Sequence, residues 1–282
     1  MSELARRIQT AVPLVAALLA ILVFAPRRVT ELLAGVVMVL GAWEWAAFLG
    51  WRTPARRAAY AAAVALLLVL ADRLVPDLVP AGVLLYTALG WWLVALLWIL
   101  RFPTRVPGPV AALAGVLVLV PAWVALRAIL GAPDGSALLL LALAIIFAAD
   151  IGAYFAGHRF GRVKLAPQVS PGKTWEGLFG GLLLAGAVAI AGGLAVGLPP
   201  ATSLTVGIGV AALSVVGDLT ESMFKRSVGA KDSGSLIPGH GGVLDRLDSV
   251  TAALPLFALA LSWLCHAALP VLPRTASQDV MP

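Results

Sequence analysis

Carboxylates buried in apolar sequence are the first residues of this chain that need a chemical reason. Asp150 and Asp218 each sit within long apolar runs, where a charged side chain is expensive and marks a functional site by default. From Asp218 the pattern continues through Glu221, Ser222 and Lys225. If this stretch is helical, steps of three, four and seven residues put all four on one face. Two carboxylates, a hydroxyl and an amine then converge. A solvated helix end would carry the same residue types, but Asp218 follows the apolar stretch Leu213 to Val216, which argues against casual surface. Glu44, between Trp43 and Trp45, reads more simply as a structural hydrogen bond between helices, with the tryptophans as interfacial anchors.

The segment after Lys225 reads as a loop: Arg226, Gly229, Lys231, Asp232, Gly234, Pro238, His240, Gly241 and Gly242 occur within a short stretch. Glycines allow close backbone approach to a ligand, and the cations balance phosphate charge, although the spacing is not that of a P-loop. The loop runs into Asp245, Arg246, Leu247 and Asp248. A helical turn there holds the two aspartates on one face, and two hard oxygen ligands suit Mg²⁺, which takes few carboxylates and shares substrate phosphates. His240 is too isolated from other His or Cys residues for zinc, so a structural or ligand-contact role is expected. A second cationic segment runs from Ser170 through Lys173, Thr174 and Glu176 to Gly177. It reads as a helix start capped by Ser170 or Thr174, and equally as an anion site, because a helix N-terminus beside a lysine serves both purposes. His158, Arg159, Arg162 and Lys164 read as interfacial, anchoring anionic lipid or meeting a lipid phosphate.

The elements that must position these groups are apolar helices. Of 282 residues, 61% are hydrophobic and only 12% charged, with mean hydropathy +0.99, which excludes a water-soluble globule. A membrane span needs about 20 apolar residues in helix. Nine candidates run from Ile8 to Phe24, Val29 to Gly50, Ala58 to Leu70, Ala81 to Leu100, Val110 to Leu126, Ser136 to Tyr154, Gly177 to Leu198, Ala201 to Met223 and Val250 to Leu269. The third is short, and reads as tilting little or as partly re-entrant. Pro26 and two arginines after the first, with no small-residue cleavage site, favour a retained span over a signal peptide. Assigning lysines and arginines to alternate sides gives fifteen against five, the five being Arg27, Arg28, Arg73, Arg127 and Arg274. The N-terminus and the late charged loops therefore belong in the cytoplasm.

The expected architecture is all-α, polytopic and a single membrane domain, with a helical scaffold over 1–135 and a chemical half over 136–270 that holds seven of the 14 acids between Asp150 and Asp248. No internal repeat of the transporter kind is visible. The net charge of +6 is dispersed between apolar spans, which fits anionic lipid and a phosphorylated substrate and not nucleic acid. The single cysteine, Cys265, reads as a buried structural thiol and excludes a disulfide framework.

The segment Ser222 to Asp248 resembles the signature of phosphatidate cytidylyltransferases. The matching positions are Ser222, Lys225, Arg226, Lys231, Asp232, Gly234, Pro238, His240, Gly241, Gly242, Asp245, Arg246 and Asp248. The Ser170 to Gly177 stretch is similar to a second short motif of the family, with Gly172 in place of a basic residue beside Lys173. The likeness spans about Asp150 to Ser249. It implies a dimeric, all-helical enzyme of the bacterial inner membrane that converts CTP and phosphatidic acid into CDP-diacylglycerol and pyrophosphate. It also implies a metal centre at Asp218 and Asp245. On that reading Asp218, Asp245, Asp248, Lys225 and Arg226 carry catalysis, and Asp150 completes the cation site or orients Lys173. Mg²⁺ is the expected cation, with K⁺ as a candidate second ion. Lys231 and Arg246 hold the triphosphate, Lys173, Thr174 and Ser170 take a phosphate from the other loop, and Ser222, Asp232, His240, Gly241 and Gly242 line the substrate. A CTP-dependent polyprenol kinase and an ion-coupled secondary transporter are the rival readings.

Overall fold

The computed structural model describes residues 13, 16–75, 80–236 and 241–268, with side chains to residue 264. His240 and the side chain of Cys265 lie outside the described residues, so the roles read for them from sequence have no structural counterpart here. Helical residues 16–24 form α1. They are followed by α2 (Arg27–Trp45), α3 (Pro54–Leu74), α4 (Ala81–Arg101), α5 (Gly108–Gly131), α6 (Gly135–Phe160), α7 (Trp175–Ala195), α8 (Pro200–Ser227) and α9 (Asp248–Ala268). Among the described residues, six segments are long and apolar enough to cross a membrane: α2 with its following 3-10 turn, α4, α5, α6, α7 and α8.

Two sequence expectations change. Ala58 to Leu70 looked short because Arg56, Arg57, Asp72 and Arg73 flank it, yet those charges belong to the helix, and α3 reaches 21 residues. Pro54 at its first position, where a missing N–H has no consequence, starts it. The fold is also not purely helical, since α6 and α7 are joined by an antiparallel hairpin of β1 (Lys164–Ala166) and β2 (Ser170–Thr174).

The innermost helix is α5, whose face from Ala111 to Leu130 packs against α2, α3, α4, α6 and α9. At one end of the bundle an aromatic joint locks the helices together. Trp45 meets Phe224 at 5.0 Å and Phe48 at 5.4 Å between ring centroids, Trp98 meets Phe224 at 5.7 Å, and the Trp45 indole donates to Ala111 O at 2.8 Å. Trp45 is therefore a core residue, 1% exposed, and not the interfacial anchor its position suggested. A buried indole needs an acceptor, and a carbonyl near the start of α5 supplies it.

At the opposite end, charges close a separate network. Glu31 accepts from Arg27 at 2.6 Å and also from Arg127, while Asp72 pairs with Arg127 at 3.3 Å and accepts from the Trp123 indole at 3.0 Å. Three helices, α2, α3 and α5, are tied there. A cavity of about 510 Å³ opens beside it, lined mainly by apolar side chains of α2 and α3.

Helices α6 and α7 run backbone to backbone. A Cβ at Gly152 would fall 2.6 Å from Gly180 O, and one at Gly181 would fall 2.6 Å from Ala149 O. Small residues allow this approach, the usual way helices associate tightly where lipid provides no hydrophobic drive.

Candidate active site

Helix α8 delivers the polar face that its spacing predicted. Asp218, Ser222 and Lys225 project from its last three turns, and Ser222 Oγ donates to Asp218 Oδ1 at 3.3 Å. Asp218 lies nine residues before the helix end, roughly 13 Å inward at 1.5 Å per residue. Asp150 is similarly recessed in α6. A polar chamber thus penetrates the apolar bundle.

Its walls come from five segments. Asp150 of α6, Asp218 and Lys225 of α8, Asp232 of the loop, Asp245 and Arg246 of a 3-10 turn, and Asp248 with Ser249 of α9 line a cavity of about 320 Å³. A second cavity of about 540 Å³ adjoins it, sharing Asp150 and Asp218, and adds Lys173, Thr174, His158 and Tyr154 with apolar residues of α6, α7 and α8. One space is almost wholly polar. Its neighbour is amphipathic, with His158 stacked on Tyr154.

Within the chamber two lysines hold the acids apart. Lys173 Nζ lies 2.6 Å from Asp218 Oδ2, and Lys225 Nζ lies 2.7 Å from Asp245 Oδ1 and 3.1 Å from Glu221 Oε1. Asp150 is within electrostatic reach of Lys173, Asp218 and Arg246. Asp245 is the most constrained: besides Lys225, it accepts from Gly242 N at 2.8 Å and Ser233 N at 3.1 Å. Burial opposes its charged form, but the polar neighbours Glu221 and Lys225 and the Gly242 N–H outweigh burial and bring its pKa down to about 2. Gly241 has φ +82°, a left-handed conformation, and a Cβ there would meet the Asp245 carboxylate, so glycine is required on both counts.

The remaining candidates divide. Thr174, not Ser170, caps α7, its hydroxyl accepting from Gly177 N at 3.1 Å. Arg226 turns away from the chamber and donates to Val169 O at 3.4 Å and Ala230 O at 3.3 Å, bracing the hairpin against the end of α8. Lys231 is exposed, and it, Ser170 and Arg226 line neither cavity. Among the described residues no three His, Cys, Asp or Glu side chains come together as a ready-made metal cluster. The donor set nevertheless fits a hard cation that draws only one or two ligands from protein, since five aspartates line the chamber and Mg²⁺ takes its other ligands from phosphate and water.

Sequence reasoning undervalued two residues. Glu221 is 2% exposed beside Lys225 and Asp245, and its place on the α8 polar face was the available signal. Among the described residues, Glu44 meets no membrane-spanning helix with a hydrogen bond. It reaches the loop, accepting from Leu244 N at 2.8 Å and Ser233 Oγ at 3.2 Å. No pattern within α2 could have shown that, because its partners lie 189 and 200 residues away in the chain.

A helical membrane protein with a carboxylate and ammonium chamber sunk into its spans defines a class: integral membrane enzymes that act on phosphorylated substrates. The comparison with protein families agrees, because the cytidylyltransferase family model matches residues 5–264 and the chain belongs to that family. A phosphatidate cytidylyltransferase of Pseudomonas aeruginosa is 46% identical over 239 residues, which is 82% of this chain and 87% of that protein. One of Haemophilus influenzae, with the same name, is 38% identical over 280 residues, covering 90% of this chain and 97% of the relative.

Proposed function

We propose that the protein is a phosphatidate cytidylyltransferase: an oxygen of the phosphatidic acid phosphate attacks the α-phosphorus of CTP, the bond from that phosphorus to the β-phosphate oxygen breaks, and CDP-diacylglycerol and pyrophosphate result. Family membership and the two relatives support the reaction. The observation that carries the site is the convergence of Asp150, Asp218, Asp245, Asp248, Lys225 and Lys173 on two joined cavities, one polar and one amphipathic.

Both reactants are anions, so the chief task is to neutralise charge and align two phosphates. Lys225 and Arg246, with Lys231 at the loop, are suited to the triphosphate and the leaving pyrophosphate. Lys173, at the start of α7, is suited to the lipid phosphate, with the amphipathic cavity receiving the glycerol end of the lipid. Asp218 and Asp245, with Asp248 and Asp150 nearby, would hold Mg²⁺, with K⁺ as a candidate second ion. When bound, the cation screens the repulsion between the phosphates and stabilises charge on the leaving group. The attacking phosphate already carries its negative charge, so the chain needs no general base, and Ser222, which donates to Asp218, serves as a positioning donor.

The proposed topology has nine spans, with residues 8–24, α3 and α9 joining the six apolar segments. The excess of lysine and arginine supports placing the N-terminus and the chamber at the cytoplasmic face of a bacterial inner membrane. Residues 1–135 would form the scaffold and 136–270 the catalytic half. A homodimer is the proposed assembly, following the resemblance.

Turnover of CTP labelled at the α-phosphate or the γ-phosphate tests the reaction with purified protein and phosphatidic acid. Label from the α-position should enter lipid, and Asp245→Ala should lower that rate by about a thousandfold. Transfer of the γ-label would instead establish a lipid kinase.

A further inference from the structure

Glu44 stands outside the signature and outside the catalytic half, yet it holds the loop that carries Asp245. Its carboxylate is 1% exposed and lies under the loop. One oxygen accepts from Leu244 N, one residue before Asp245, and from Ser233 Oγ, whose own backbone N–H donates to Asp245. The two arms therefore grip both sides of the segment that presents the aspartate. A Cβ at Gly234 or Gly242 would collide with the Glu44 carboxylate, so the glycines at these two positions make room for this side chain. Gly242 N–H is itself a donor to Asp245. Burying a carboxylate is costly without partners. Here the partners are the backbone and side-chain groups that orient Asp245.

We propose that Glu44 is a positioning residue for cytidylyl transfer, acting through Asp245 from the N-terminal scaffold. The inference rests on the chamber being the transfer site. Outer-shell partners of this kind are worth about 10- to 100-fold in metal affinity or activity. Because several cations hold the triphosphate, the loss belongs in kcat and in the Mg²⁺ requirement, with little in KM for CTP.

The experiment compares wild type, Glu44→Gln, Asp245→Asn and the double variant, measuring kcat, KM for CTP, and the rise in Tm on adding Mg²⁺. Glu44→Gln keeps an acceptor for Leu244 N–H and the volume of the side chain. It is expected to lower kcat about tenfold, to raise the Mg²⁺ concentration for half-maximal rate, and to weaken the Mg²⁺-dependent Tm shift. In the Asp245→Asn background it should add nothing further, since its effect passes through that carboxylate. Ser233→Ala, which removes one arm only, should give a smaller loss in the same direction. A lowered Tm with unchanged kcat and Mg²⁺ requirement would overturn the proposal, as would losses that multiply in the double variant. Full activity in Asp245→Asn alone would instead sink the assignment of the chamber, a separately readable failure.

Discussion

Two groups of charges are sunk into this bundle, one at each end, and they are built on opposite rules. At the far end Glu31 and Asp72 meet Arg27 and Arg127, with the Trp123 indole completing the set. The acids there have all found their cations. In the chamber five aspartates face Lys225, Arg246 and the neighbouring Lys173, and the deeply buried Glu221 has to share Lys225 with Asp245. A network in which each acid has its own cation stabilises a fold, whereas one with more carboxylates than cations is the arrangement the proposed Mg²⁺ site calls for. Charge in an apolar bundle is thus not by itself a functional sign; incomplete satisfaction is.

That contrast can be broken first at Asp218. Asp218→Asn keeps shape and removes the charge opposite Lys173, and turnover should fall by at least about a hundredfold while thermal stability changes little. A stability loss with intact turnover would make the chamber another structural network. The second test is Arg127→Met, which takes the cation from Asp72 and leaves Glu31 with Arg27 alone. Because Arg127 is one-third exposed, the expected cost is about 1–3 kcal/mol, read as a lowered Tm in detergent, with kcat of the folded protein unchanged. A large fall in kcat would show that the two ends are coupled. The smallest effect concerns pH. The pKa of Asp245 is depressed on folding, so its contribution is present above its ordinary value and is lost as pH falls through about 2. The Tm difference between wild type and Asp245→Asn should therefore shrink as pH drops from about 4 toward 2. A constant difference would show that the carboxylate is not held in its charged form.

How much of this was legible beforehand depended on distance along the chain. The face of Asp218, Ser222 and Lys225 could be read because helical periodicity is local. The aspartates of the last loop could be read because their spacing repeats a family signature. Glu44 could not, since its role exists only once α2 lies under a loop formed about two hundred residues later. Arg226 misled for a related reason: its charge suggested a phosphate, but the hairpin beside it offered carbonyls, and strand pairing between Lys164 and Thr174 leaves little trace in so short a sequence. The ends of α3 were hidden by their own charges, which read as boundaries although they are the first and last turns of the helix.

The glycine seam between α6 and α7 has a mechanical consequence. With little more than glycine and alanine between the two backbones at their closest approach, sliding one helix past the other would open a gap or force atoms together. Asp150 rides on one partner at the seam, and Lys173 sits on the hairpin joining the pair. These two groups are therefore set to a common ruler, and any adjustment of the chamber must come from α8, α9 or the loop between them.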